Sequence, residues 1–142
     1  MIILGLNAFH GDSSACIVVD GRLVAAAEEE RFRRLKHWAG FPTESIRYCL
    51  AAANITIGDV DVLAVNQDSG AQFWQKAAYV LRHRPNPGLV LDRLRNRGRR
   101  KDIPALLAEE FPGFRGEFTP VEHHLAHLSS AFHVSPFAMA TV

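Results

Sequence analysis

Residues Glu122 to His127 read EHHLAH, with three histidines in five positions. His123 and His127 are spaced i, i+4, so on a helix both imidazoles leave one face and can share a metal ion. His124 and His127, at i, i+3, can do the same, and spacing alone leaves both pairs open. A third ligand, expected to be a carboxylate, is not identifiable among the residues after His127. The order Glu-His-His-x-x-His excludes the zincin arrangement, which needs its glutamate inside H-E-x-x-H. The competing reading is a run of partly exposed histidines at the start of a helix.

A second candidate is NAFHGDSSA, Asn7 to Ala15, where an apolar stretch enters a Gly- and Ser-containing turn. Backbone amides and hydroxyls in such a turn can hold an anionic group, which makes Asp12 and Ser13 candidate ligands. His10, at the mouth of the turn, could hold an oxygen or move a proton near neutral pH. An ordinary hairpin with a solvated histidine is the alternative, and Asp12 is equally suited to stabilising the turn. The run EEERFRRLKH, Glu28 to His37, has the mixed charge of a solvated face, but Lys36 and His37 set a cation beside a titratable ring where a phosphate could be met. Arg82 to Lys101 holds eight of the sixteen Lys and Arg residues against one acid, Asp92. Its arginines at i, i+2 spread around a helix and no aromatic side chains are interleaved, which favours a solvated insertion or docking surface over a nucleic-acid site.

These residues need elements to position them. Ile2 to Ala8, Ser14 to Asp20 and Leu23 to Ala27 are apolar and β-branched, separated by Gly11-Asp12-Ser13 and Asp20-Gly21, so they predict a three-strand antiparallel meander. Pro42 to Asn54 predicts an amphipathic helix, with Thr43 as N-cap, Glu44 in the first turn, and Ile46, Cys49, Leu50 and Ala53 on one face. DVLAVN, Asp61 to Asn66, reads as a short buried strand. Further helices are expected over Ala71 to Leu81 and Ile103 to Phe111, and Ala138 to Val142 looks like a strand that has just begun. The expected class is α/β: a mixed sheet with helices, opening like a ribonuclease-H-like unit of the actin-like ATPase architecture, by analogy of element order. A chain stopping inside a strand suggests a truncated product or an excised piece.

With 142 residues, 48% hydrophobic and 22% charged, the composition is that of an ordinary globular domain. A net charge of +1 gives no reason to expect nucleic acid or an anionic membrane as partner. Cys16 and Cys49 lie apart in apolar runs, outside any C-x-x-C pattern, as buried reduced thiols would. The opening residues lack a basic n-region and a long apolar run, so a cytoplasmic protein that does not enter the membrane is expected.

Three stretches, ILGLNAFHGDSSACIVVDGRLVAAAEEERF, RRLKHWAGFP with SIRYCLAAANI, and VEHHLAHLSSAFHVSPF, are similar in order and spacing to the amino-terminal region of O-carbamoyltransferases that tailor antibiotics and nodulation factors. The resemblance covers most of the chain and fades across about residues 67 to 117. It implies a fold like that of the tRNA threonylcarbamoyl-adenosine synthase, whose H-x-x-x-H metal motif falls here on His123 and His127. It further implies a divalent metal (Fe, Zn, Mn or Mg), and a carbamoyl-adenylate made from carbamoyl phosphate and ATP in a separate carboxy-terminal domain. Transfer would then go to a hydroxyl of a small-molecule or sugar acceptor at a site lined by His10 and Lys36. On this reading residues 1–142 are the N-terminal part of a carbamoyltransferase domain, with a basic insertion near 82–101, and incapable of a full catalytic cycle alone. The alternatives are another ATP-dependent enzyme of the same architecture, such as a kinase or tRNA-modifying synthase, or a non-catalytic basic module binding RNA or protein.

Overall fold

The computed structural model describes residues 1–9, 11–66, 103–133 and 135–139. Two compact units emerge, Met1–Asp68 with Gly113–Val142, and Ser69–Pro112. Within the second, the described helix α3, Ile103–Glu110, buries Ile103, Leu106 and Leu107 as its apolar spacing predicts. The expected helix over 71–81 and the basic stretch 82–101 lie outside the described residues.

The first unit is built on strands β1 (Ile2–Asn7), β2 (Ser14–Val19) and β3 (Arg22–Glu28), the antiparallel meander expected from alternation. Its second turn uses Asp20 and Gly21, both at positive φ (49° and 77°), as a two-residue Asp-Gly hairpin requires. Helices α1 (Glu30–Arg33) and α2 (Thr43–Ala53) come next, then a 3-10 turn at Ile57–Asp59 and strand β4 (Val62–Val65). Strand β5 (Glu117–Pro120) and helix α4 (His123–Phe132) complete it. The sheet order is β3-β2-β1-β4-β5, with β4 parallel to β1 and β5 parallel to β4. This is the mixed α/β sheet of a ribonuclease-H-like unit. Two elements were not anticipated: α1, which falls in the run read as a solvated charged face, and β5. Ala138 and Met139 are not in a strand, and the rest of the expected final strand lies outside the described residues.

One sheet face forms the core. Leu4, Leu6, Ile17, Ala25, Leu63 and Val65 are buried there together with Ile46, Cys49 and Leu50 of α2. Each fully buried aliphatic side chain contributes roughly 1.5–3 kcal/mol. The thiols are free, as expected from their placement. Burial, and then the neighbouring Cys16, push the Cys49 thiol up to about 11, so it stays protonated and behaves as a small apolar side chain.

On the opposite face small residues line up. Gly5 stands opposite Cys16, and a Cβ on Gly5 would lie 2.8 Å from the Cys16 sulfur. Gly5→Ala should therefore lower stability by roughly 1–3 kcal/mol through overpacking. Combining it with Cys16→Ala should restore most of the loss in a double-mutant cycle of thermal melts; strictly additive effects would show that the two side chains do not compete for space.

Glu29 organises the segment after the meander. Thr43 is not the N-cap of α2: the helix begins at Thr43, and Pro42 in the capping position offers no side-chain acceptor. The carboxylate of Glu29, fully buried, takes that role from outside the helix. Its oxygens accept from the backbone N–H of Ser45 (2.8 Å), the Ser45 hydroxyl (3.0 Å) and the backbone N–H of Glu44 (3.2 Å). The Arg33 guanidinium adds an ion pair at 2.7 Å. Burial pushes the Glu29 carboxyl up, but the hydrogen bonds from Ser45, Arg33 and Glu44 together outweigh it and hold it below its ordinary value. The same guanidinium lies 4.5 Å over the Trp38 ring, so one acid fixes β3, α1, α2 and the loop between the helices.

Candidate functional site

Because β1, β4 and β5 run parallel, their carboxyl ends lie at one edge of the sheet, where ligands bind in open α/β folds. The β1–β2 turn and the start of α4 both depart from this edge. An open groove of about 900 Å³ runs along it, with Asn7, Ser14 and Cys16 on one side, Asn66 between, and Val121 and Ala126 at the base of α4.

Asn7 ties the edge together. Its amide nitrogen donates to the carbonyls of Asp12 (3.0 Å) and Gly11 (3.4 Å), closing the turn, while its oxygen accepts from Asn66 at the end of β4 (3.0 Å). Asn7 sits inside the NAFH stretch, yet residue type alone did not single it out, and the Asn66 contact depends on strands 59 positions apart.

Ser13, read as a candidate ligand for an anionic group, is fully buried. Its hydroxyl donates to the Gly40 carbonyl (2.8 Å), its N–H to the Trp38 carbonyl (2.9 Å), and its own carbonyl accepts from the Glu29 N–H (2.8 Å). It clamps the turn to the 38–40 segment and turns its hydroxyl away from solvent. Asp12 is exposed and its carboxylate meets Nδ1 of His37 at 2.9 Å. Lys36 is exposed in the turn just before His37. His10 lies outside the described residues.

In α4 the pair that comes together is His123 and His127, with Nε2 atoms 3.2 Å apart and rings nearly perpendicular at 87°. Two nitrogens each about 2.0–2.1 Å from one tetrahedral zinc ion stand roughly 3.3 Å apart, so the pair fits as two ligands of a shared divalent ion. His124 is exposed, its ring 5.7 Å from that of His123. Glu122 is the N-cap, accepting from the Leu125 N–H at 2.8 Å; that bond, and then one from His124, hold its carboxyl below the ordinary value. Among the described residues no cluster of three His, Cys, Asp or Glu forms, so the two imidazoles are an incomplete ligand set.

No helix among the described residues is long and apolar enough to cross a membrane. The family model of the carbamoyltransferase N-terminus matches residues 2–142. The chain is 34% identical over 161 positions to the uncharacterized protein sll1178 of Synechocystis, covering 99% of this chain and 24% of that protein. It is 33% identical over 149 positions to the nodulation protein NolNO of Sinorhizobium fredii, covering 96% of this chain and 19% of that one. The chain thus spans about a quarter or less of these relatives. Among solved structures it is similar to YeaZ from Pseudomonas aeruginosa, at a TM-score of 0.48 and 13% identity over 93% of this chain and 49% of that one. The sequence stretches that suggested the resemblance, and the match over nearly every residue, show that the chain belongs to the carbamoyltransferase N-terminal family.

Proposed function

We propose that this chain is the acceptor-side portion of an ATP-dependent O-carbamoyltransferase. The longer enzyme would form carbamoyl-adenylate from carbamoyl phosphate and ATP in a carboxy-terminal domain. It would then pass the carbamoyl group to a hydroxyl of a small-molecule or sugar acceptor. The observation that carries this reading is the His123–His127 pair, with Nε2 atoms 3.2 Å apart on the helix that follows β5. His123 and His127, each neutral, would hold a divalent ion such as iron, zinc, manganese or magnesium. When bound, that ion would polarise a carbonyl or neutralise a nucleotide phosphate. By the family resemblance, the exposed Lys36 would supply a positive charge for phosphate or carbamoyl oxygens, and His10 of the NAFH stretch would be a second oxygen-binding group. The Asn7–Asn66 bond joins the carboxyl ends of β1 and β4 at this edge.

The test uses the full-length protein with radiolabelled carbamoyl phosphate, ATP and a panel of hydroxyl acceptors. The expected products are a labelled carbamate ester and AMP. ADP with a phosphorylated acceptor would instead identify a kinase of related architecture. Neither product, with salt-sensitive retention of RNA through Arg82 to Lys101, would favour a basic binding module.

A further inference from the structure

We propose that the groove at the strand ends binds the acceptor, and that the acceptor it fits is a neutral sugar with one ring face laid against Phe32 and Tyr48. This deepens the carbamoyl-transfer reading, which supplies the fate of the bound sugar. The shape and polarity of the groove stand without that reading.

Strand register builds the floor. On the sheet face turned away from α2, Cys16 pairs with both Ala26 and Gly5, and Gly5 pairs with Ala64, so four small residues form one row across β3, β2, β1 and β4. Small side chains leave depth above the sheet. The next row toward the strand ends is polar: Ser14 pairs with both Glu28 and Asn7, and Asn66 donates to Asn7 at 3.0 Å. Both rows line the groove, whose volume of about 900 Å³ suits a small molecule of several rings. At one end it reaches Val121 and Ala126, by the start of the helix that carries His123 and His127.

The polar row holds an unsatisfied acceptor. Asn7 gives its amide nitrogen to the Asp12 and Gly11 carbonyls, so its oxygen faces Asn66. Asn66 must then donate, which fixes its amide and leaves its own oxygen over. That oxygen is shielded from bulk solvent and has no hydrogen-bond partner among the described residues. A buried acceptor left in this way calls for a donor brought by another molecule.

The β3 end has a different character. Phe32 of α1 and Tyr48 of α2 stand side by side there, ring centroids 5.8 Å apart and tilted by 44°. Both line the groove, yet they are 41% and 47% exposed. Beside them are the exposed Glu28 and Arg31, neither of them ion-paired with another described residue.

This mixture selects by charge and hydrogen bonding. A phosphate or carboxylate would be repelled by Glu28 and by the Asn66 oxygen, and an ammonium group would be repelled by Arg31. A hydrocarbon or an apolar protein surface would strip Glu28 and Arg31 of water and leave Asn66 unpaired. Hydroxyls both donate and accept, so a sugar can donate to Glu28 and Asn66 and accept from Arg31. The C–H face of its ring then covers the two aromatic faces, which carry partial negative charge.

The test is saturation-transfer NMR on the full-length protein with neutral disaccharides covering gluco, galacto, manno and N-acetylamino stereochemistry. AMP and an apolar naphthalene dye serve as comparisons. At least one disaccharide should bind, with saturation concentrated on ring C–H protons and an affinity that is the same at low and high salt. Phe32→Ser and Tyr48→Ser, both at exposed positions, should each weaken that binding about 10-fold. Asn66→Leu should weaken it about 5-fold. No bound disaccharide, binding that survives both aromatic replacements, or loss of AMP or dye binding in its place would overturn the proposal. Transfer is read separately: for an acceptor that the full-length enzyme modifies, Tyr48→Ser should raise KM about 10-fold, and an unchanged KM would show that the acceptor sits elsewhere. If no carbamate ester forms with any acceptor, the transfer reading fails on its own, and the NMR result still decides whether the groove binds sugars.

Discussion

Glu29→Gln should lower folding stability by about 3 kcal/mol, measured as a fall in the urea midpoint with an unchanged slope. The amide keeps the shape of the side chain but replaces one acceptor oxygen by a donor. That NH2 must then face either the Arg33 guanidinium and the Glu44 N–H or the Ser45 N–H, none of which can accept. The loss combines an unpaired buried group with an uncapped helix start, two mechanisms that each exceed ordinary surface effects. The pH dependence has a definite sign. The Glu29 carboxyl is held below its ordinary value, so its contribution is complete above the carboxylate range and fades as pH falls through the lowered value. Acid unfolding of the native protein should therefore include a share that the Gln variant lacks, with the two stability curves converging once the pH falls below that lowered value. A loss under about 1 kcal/mol at neutral pH would show that water replaces the carboxylate and that Glu29 does not hold α2 in place.

The second large effect is expected at the histidine pair. In the full-length enzyme, His123→Ala and His127→Ala should each reduce divalent-metal affinity by more than the roughly 10–100-fold that removal of an outer-shell partner costs, and carbamoyl transfer should fall with it. His124→Ala should leave metal content near normal, because His124 is not one of the two imidazoles whose Nε2 atoms meet at 3.2 Å. Metal analysis after gel filtration decides the matter. Normal metal in the His123 and His127 variants with loss in His124→Ala would reverse the assignment. In the chain of 142 residues alone the same two imidazoles should hold a divalent ion only weakly, since such an ion needs further donors to resist exchange.

Much of the sheet was legible because its signals are local. Alternation in Ile2 to Ala8 and Ser14 to Asp20, the Asp20-Gly21 turn and the apolar face of Ile46, Cys49 and Leu50 each lie within one element and need no distant partner. The H-x-x-x-H spacing was legible for the same reason, and the structure brings its two nitrogens together. What escaped depends on tertiary placement. β5 has four residues ending in Pro120, too short for a pattern, and is admitted because Gly116 lets the backbone pass close to Val60 and Asp61, where a Cβ would lie 2.5 Å from their carbonyl oxygens. The capping of α2 by Glu29 joins residues 16 apart, and Thr43 was the obvious local choice for that role. The Asp12–His37 contact spans 25 residues and needs two side-chain-bearing residues in a conformation that propensity disfavours. The Ser13 hydroxyl, noticed for the right segment, bonds the Gly40 carbonyl 27 positions away, a partner that no local pattern reveals.

The sheet order also bears on how such a chain comes together as it is synthesised. β1 is central in space but first in sequence. Its antiparallel neighbour and α2 are complete by residue 53, whereas its parallel neighbour meets it through contacts such as Ile2 with Asp61, 59 positions apart. Closing the longer loop costs only modestly more entropy, since each doubling of loop length adds about 0.6 kcal/mol. The decisive difference is therefore availability. A nascent chain can bury Leu4, Ile17 and Ala25 under Ile46 and Leu50 while β4 is still unmade, leaving the far edge of β1 as a template on which β4 and β5 are added last.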